Sequence, residues 1–131
     1  MDHDTAQAWL DRYVAAWKSY DVDDIGDLFS ADVRYRYYPY AAWVEGRDAV
    51  VASWRADGTD DNGSTRDEPG TYDASYVPVA VDGDVVVATG TSTYFESPGG
   101  PVRQVFDNCF VMRFDDEARC REFTEYYTKR S

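Results

Sequence analysis

From Asp4 onward the apolar residues fall at Ala6, Leu10, Tyr13, Val14 and Trp17, a stripe at helical spacing, with Asp4 and Gln7 placed as a capping box. This predicts a first helix ending near Tyr20. Val22, Ile25, Leu28 and Phe29 repeat the spacing behind Asp21 and Asp23, either of which can cap a short second helix that stops at Ser30. Val33 to Tyr38, dense in β-branched and aromatic residues, reads as a strand until Pro39, and a loop through Tyr40 and Trp43 follows. Glu45-Gly46-Arg47-Asp48 opens a third helix with Ala49, Val50 and Trp54 on one face, ending near Ala56. Asp57 to Gly70 carries no apolar side chain and reads as a surface loop long enough to act as a lid.

The remainder alternates with period two. Thr71 to Val81, Val85 to Phe95, Val102 to Phe114 and Arg119 to Tyr127 are expected as a four-stranded meander, with turns at Asp82-Gly83 and Ser97-Pro98-Gly99-Gly100. The expectation is one α+β domain over residues 1–131, a cone-shaped roll of three N-terminal helices packed on a strongly curved antiparallel sheet around an aromatic pocket.

The last hairpin identifies the pocket face. If Asp115 to Ala118 is a four-residue loop, Phe110 sits opposite Phe123, Asn108 opposite Glu125, and Phe106 opposite Tyr127. One face then carries Phe106, Asn108, Phe110, Met112, Phe123, Glu125 and Tyr127. The other carries Asp107, Cys109, Val111, Arg113, Cys120, Glu122 and Thr124, a mixed face suited to solvent or a partner. Cys109 and Cys120 fall about four rungs apart, on the order of 13 Å, too far for a disulfide. Glu125 stands on an aromatic face beside a carboxamide, where a carboxylate must be hydrogen-bonded, hydrated or raised in pKa. Such a group is prepared to act as a general base or acid near neutral pH.

Composition narrows the partners. With 25 acidic residues against 13 basic ones the net charge is −12, which repels phosphate backbones and anionic lipids, so neither nucleic acid nor a membrane is expected. No apolar run spans a bilayer and the start Met-Asp-His-Asp lacks the form of a signal peptide, so a cytoplasmic protein is expected. The one histidine is His3, and no cysteine–histidine cluster is present, which argues against a histidine base and a metal site; no cofactor is expected.

Several stretches together resemble the SnoaL-like, or nuclear-transport-factor-2-like, superfamily: Trp9-Leu10-Asp11-Arg12-Tyr13 through Trp17; Asp21-Val22-Asp23 to Leu28-Phe29-Ser30-Ala31-Asp32-Val33; Val44-Glu45-Gly46-Arg47; Asp107-Asn108 through Arg113-Phe114-Asp115; and Cys120-Arg121-Glu122-Phe123. The resemblance covers essentially the whole chain and implies a pocketed fold and a homodimer. Arg12-Tyr13-Val14-Ala15-Ala16 looks like the first helix of steroid Δ-isomerases, which implies that Tyr13 is an oxyanion donor. The isomerase base position falls on Tyr38, before Pro39, and the second donor position falls close to Phe110. Phe123-Thr124-Glu125 resembles the end of the limonene epoxide hydrolase triad. The strand that would supply the rest of that triad reads Thr89-Gly90-Thr91-Ser92-Thr93.

What these groups can do is proton transfer: Glu125 as acceptor, Asn108 holding it or the substrate, Tyr13 stabilising developing charge. Trp17, Tyr38, Phe106, Phe110, Phe123 and Tyr127 are expected as pocket walls around a small apolar molecule, while Tyr35, Tyr37, Trp43 and Trp54 are left between wall and core. A non-catalytic ligand-binding or homodimerisation module would use the same fold.

Overall fold

The computed structural model describes residues 1–56 and 66–131. Three helices precede most of the sheet: α1 (His3–Ser19), α2 (Val22–Gly26) and α3 (Arg47–Arg55). Helix α1 buries Ala6, Trp9, Leu10, Tyr13 and Ala16. Its cap is Asp2, whose side chain accepts from the Thr5 amide at 2.8 Å, so the start lies before the expected Asp4–Gln7 box. At its end Tyr20 takes a left-handed φ of 51°, unusual for a bulky residue, and closes the helix by donating its amide to Ala16 O. Burial of the Tyr20 side chain, whose hydroxyl accepts from the Trp17 indole and the Asp67 amide, holds it there.

Asp21 caps α2 by accepting from the amides of Asp23 and Asp24. The helix ends at Gly26, earlier than its apolar spacing implies, because Phe29 opens strand β1 (Phe29–Arg36). A bond from the Cys120 amide to Leu28 O stitches that turn to the end of the chain. The loop expected at Tyr40 to Trp43 leads into a short strand not foreseen, β2 (Val44–Glu45), which pairs antiparallel with β1.

Strands β3 (Tyr72–Asp82), β4 (Val85–Phe95), β5 (Val102–Phe114) and β6 (Cys120–Lys129) form the antiparallel meander. The complete sheet has six strands in the order β2-β1-β6-β5-β4-β3, and it is mixed, because β1 runs parallel to β6. This parallel pair is where the sheet departs from the all-antiparallel expectation. It joins residues some 90 positions apart, so no local turn sets its direction.

The β5–β6 register also differs in detail. Asn108 lies opposite Tyr127, Phe110 opposite Glu125 and Met112 opposite Phe123. The connection is five residues long and a bulge follows at Arg121, so the strand slides by two residues and every side chain between Glu122 and Tyr127 keeps its expected face. Cys120, on the turn side of the bulge, flips inward and is buried opposite Phe114, not on the outer face. Both cysteines are free.

Between helices and sheet lies an aromatic core centred on Trp9, fully buried and donating its indole N–H to Leu28 O at 3.0 Å. Phe123 is sandwiched between Tyr13 (centroids 5.7 Å, planes 14° apart) and Tyr35 (4.5 Å, 3°). The Asp57–Gly70 lid expectation falls largely on residues 57–65, outside the described residues. No helix among the described residues is long and apolar enough to cross a membrane.

Candidate functional site

A cavity of about 430 Å³ opens above this aromatic layer, within the size range of small-molecule sites. Tyr13 and Trp17 reach it from α1, Tyr35 from β1, Trp54 from α3, Tyr76 from β3, Ser92 and Tyr94 from β4, Asn108 from β5, and Glu125 and Tyr127 from β6. The sheet's period of two places Ser92, Asn108 and Glu125 on the same inner face.

Those three are linked. Tyr76 Oη lies 2.6 Å from Ser92 Oγ, Ser92 Oγ donates to Asn108 Oδ1 at 2.8 Å, and Asn108 Nδ2 donates to Glu125 Oε2 at 2.8 Å. Since the serine spends its one proton on Asn108, Tyr76 must donate to Ser92. Every donor in the chain therefore points toward the carboxylate, and the carboxamide is fixed with its NH₂ on Glu125. The expected Asn108–Glu125 contact is made diagonally across the strands, because of the two-residue slide, and not between directly opposed residues.

Glu125 keeps partial solvent access through the cavity, yet protein crowds its carboxylate, and burial pushes it up to about 7 from an ordinary 4.5 against the opposing pull of the Asn108 bond. It therefore holds a proton roughly half the time near neutrality and can take one or give one. Burial raises the Tyr13, Tyr35, Tyr76 and Tyr94 phenols well above their ordinary range, with the Glu125 charge adding to the effect, so all four remain protonated donors. The Tyr13 and Tyr35 hydroxyls are 3.4 Å apart, a weak mutual bond that leaves both largely available. The buried Trp54 indole N–H has no acceptor in hydrogen-bonding geometry among the described residues, although the Tyr35 phenol is close enough to feel it.

A second carboxylate stands elsewhere on the wall. Asp67 Oδ2 accepts from Trp17 Nε1 at 3.1 Å and Tyr20 Oη at 3.3 Å, and its amide donates back to Tyr20 Oη at 2.9 Å. Burial raises its carboxyl, while the two donors and the nearby Arg103 charge oppose the rise. Arg103, exposed, also lines the cavity and sits over the Tyr94 ring. Among the described residues no three His, Cys, Asp or Glu side chains gather as a metal site would require.

Of the residues singled out from sequence, Glu125, Asn108, Tyr13, Trp17, Tyr38, Phe106 and Tyr127 all line this cavity. Phe110 and Phe123 do not. Both are buried beneath the floor, packed on one another at 4.9 Å and supporting the rings of Tyr13, Tyr35 and Tyr76. Trp43 lies outside the cavity with Arg34 and Arg36 over its ring, whereas Tyr35, Tyr37 and Trp54 line it. Sequence reasoning missed Tyr20, Asp67, Tyr76, Ser92, Tyr94 and Arg103. The alternation of β4 carries a signal for Ser92 and Tyr94, which share a face at period two. Asp67 carries none, since it lies in a polar stretch and meets Trp17 and Tyr20 only through the fold.

Comparison with known proteins agrees with this architecture. A family model described as SnoaL-like domain matches residues 10–122. A crystal structure from Kribbella flavida, described as a "putative ketosteroid isomerase", superposes with a TM-score of 0.68 over 99% of this chain and 82% of that one at 13% identity, a likeness of fold. The ECF RNA polymerase sigma factor SigG of Mycobacterium tuberculosis, in two strains, is 40% identical over 50 residues, 38% of this chain but only 14% of the sigma factor.

Proposed function

This chain belongs to the SnoaL-like family, and from that premise we propose an acid–base enzyme of isomerase, cyclase or hydratase type that acts on a small, largely apolar molecule, with Glu125 as the proton acceptor. The observation that carries the reading is the polarised chain Tyr76–Ser92–Asn108–Glu125, which ends on a carboxylate facing an open cavity. In this reading the ionised Glu125 removes a proton from carbon beside a carbonyl and returns it elsewhere on the same molecule. Alternatively, it removes one from a water as that oxygen bonds to the substrate and then delivers the proton to the substrate atom on which negative charge has collected. Tyr13 and Tyr35, neutral phenols whose hydroxyls are weakly engaged, donate to the oxygen on which negative charge collects. Asn108 is a positioning residue: it fixes one carboxylate oxygen, leaving the other for the substrate.

One observation favours a second role alongside this one, pairing of two copies through the outer sheet face. Val77, Thr89, Cys109 and Tyr126 form one row across four strands, and Val77 and Tyr126 are 49% and 44% exposed. Light scattering with Tyr126→Lys tests it, since a lysine in a buried pair would leave monomers.

The test of the enzymatic reading is a thermal-shift screen of wild type and Glu125→Gln against terpenoid, steroid and polyketide-like lactone libraries, each shift taken from the protein's own unliganded melting point. Compounds that bind both proteins and are converted only by wild type support Glu125 as the base. Compounds bound equally and converted by neither make this a binding protein.

A further inference from the structure

The cavity lining is chemically one-sided. Among the described residues it comprises eight tyrosines, two tryptophans, a phenylalanine, two carboxylates, Asn108, Ser92 and Arg103, with no aliphatic side chain. A site shaped only for a hydrocarbon skeleton gains nothing from excluding leucine, valine and isoleucine. Aromatic rings differ from aliphatic groups in offering a negative face, which attracts a cation within about 6 Å of the ring centre. Two of the lining rings already take cations of the chain itself: Arg66 lies 4.9 Å from the Tyr20 centroid and Arg103 lies 5.5 Å from that of Tyr94.

The carboxylates complete the pattern. Glu125 has a hydrogen-bond donor in Asn108 but forms no ion pair with any described lysine or arginine; the described ion pairs join Lys18, Arg34, Arg113, Arg121 and Arg130 to carboxylates outside the cavity. A carboxylate withdrawn from water is ordinarily paired with a positive charge, and here none of the described residues supplies one. Arg103, the one basic residue among the described residues of the wall, acts on Asp67.

We propose that the cavity binds a small organic cation, a hydrophobic amine or quaternary ammonium, whose charged head sits against the Glu125 carboxylate among the faces of the surrounding rings. This rests on the preceding reading in one respect, that Glu125 faces the ligand, and it narrows the ligand class. The same positive charge would acidify a C–H bond beside it, so one carboxylate could anchor the ligand and take its proton.

The test uses the full chain at pH 8, where Glu125 is charged, and at physiological salt, where distant surface charges are largely screened. Choline and 3,3-dimethylbutan-1-ol differ only by carbon in place of the charged nitrogen. Their affinities are measured by NMR titration for wild type and Glu125→Gln. Choline is expected to bind wild type at least about tenfold more tightly than the alcohol, and Glu125→Gln to remove that preference. Equal binding of the two by wild type overturns the proposal without depending on any variant. A choline preference that survives in Glu125→Gln also overturns it, because the charged head would then be held by other groups and not by the Glu125 carboxylate. If the alcohol wins while Glu125→Gln still abolishes conversion of a neutral compound, the cation fails and the proton-transfer reading stands. Glu125-dependent choline binding, with nothing converted by either protein, gives the reverse.

Discussion

Replacing Glu125 with glutamine removes one charge and almost no volume, and it isolates the cost of holding a carboxylate in this cavity. The folded protein holds that carboxyl at about 7, against 4.5 for an unburied glutamate. Between those values the unfolded chain has released its proton and the folded chain has not, so stability falls as pH rises. The contribution is fully present below 4.5 and is lost as pH passes through 7. At 1.36 kcal/mol per decade, ionisation costs the folded state about 3 kcal/mol. Partial solvent access at Glu125 brings the realised figure nearer to about 2 kcal/mol. The groups facing it are Tyr13 from α1, Tyr35 from β1, Tyr76 from β3, Tyr94 from β4 and Asn108 from β5; all are neutral throughout this range, so none titrates with it. Glutamine can still accept from Asn108. Calorimetric melts from pH 5 to 8.5 should find the two proteins nearly alike at pH 5 and the variant melting about 5–10 °C higher at pH 8. A variant less stable at pH 8, or a gap that does not change with pH, would refute the assignment of a buried, proton-exchanging Glu125.

Gly90→Ala should cost more than about 3 kcal/mol and leave little folded protein, because a Cβ there would run into Ser75 O and the backbone and ring of Tyr76, neither of which can retreat from the β3–β4 ladder. Urea denaturation with a wild-type midpoint would sink this account. Asn108→Leu strips a donor from Glu125 and an acceptor from Ser92, with an expected loss of about 2 kcal/mol and a Glu125 titration, followed by carbon-13 NMR, displaced further upward. Asp21→Ala removes the cap of α2 and should lower stability by about 1 kcal/mol in the same urea assay.

The sequence by itself determined the helices, the four long strands and the face on which Asn108 and Glu125 stand, because each follows from a short-range periodicity enforced by burial. That face survived an error in register: a longer turn and a bulge together moved β6 by two residues, and period two is blind to an even shift. Tertiary structure alone decided which of the inward rings are floor and which are wall. Phe110 and Phe123 have the same spacing as residues that line the cavity, but α1 and β1 press Tyr13 and Tyr35 down onto them. It also decided the parallel seating of β1 against β6 and the capture of Asp67 by Trp17 and Tyr20. Those contacts join residues about 50 to 90 positions apart, and their energy is recovered only once the intervening chain has folded, so no local pattern of residues announces them.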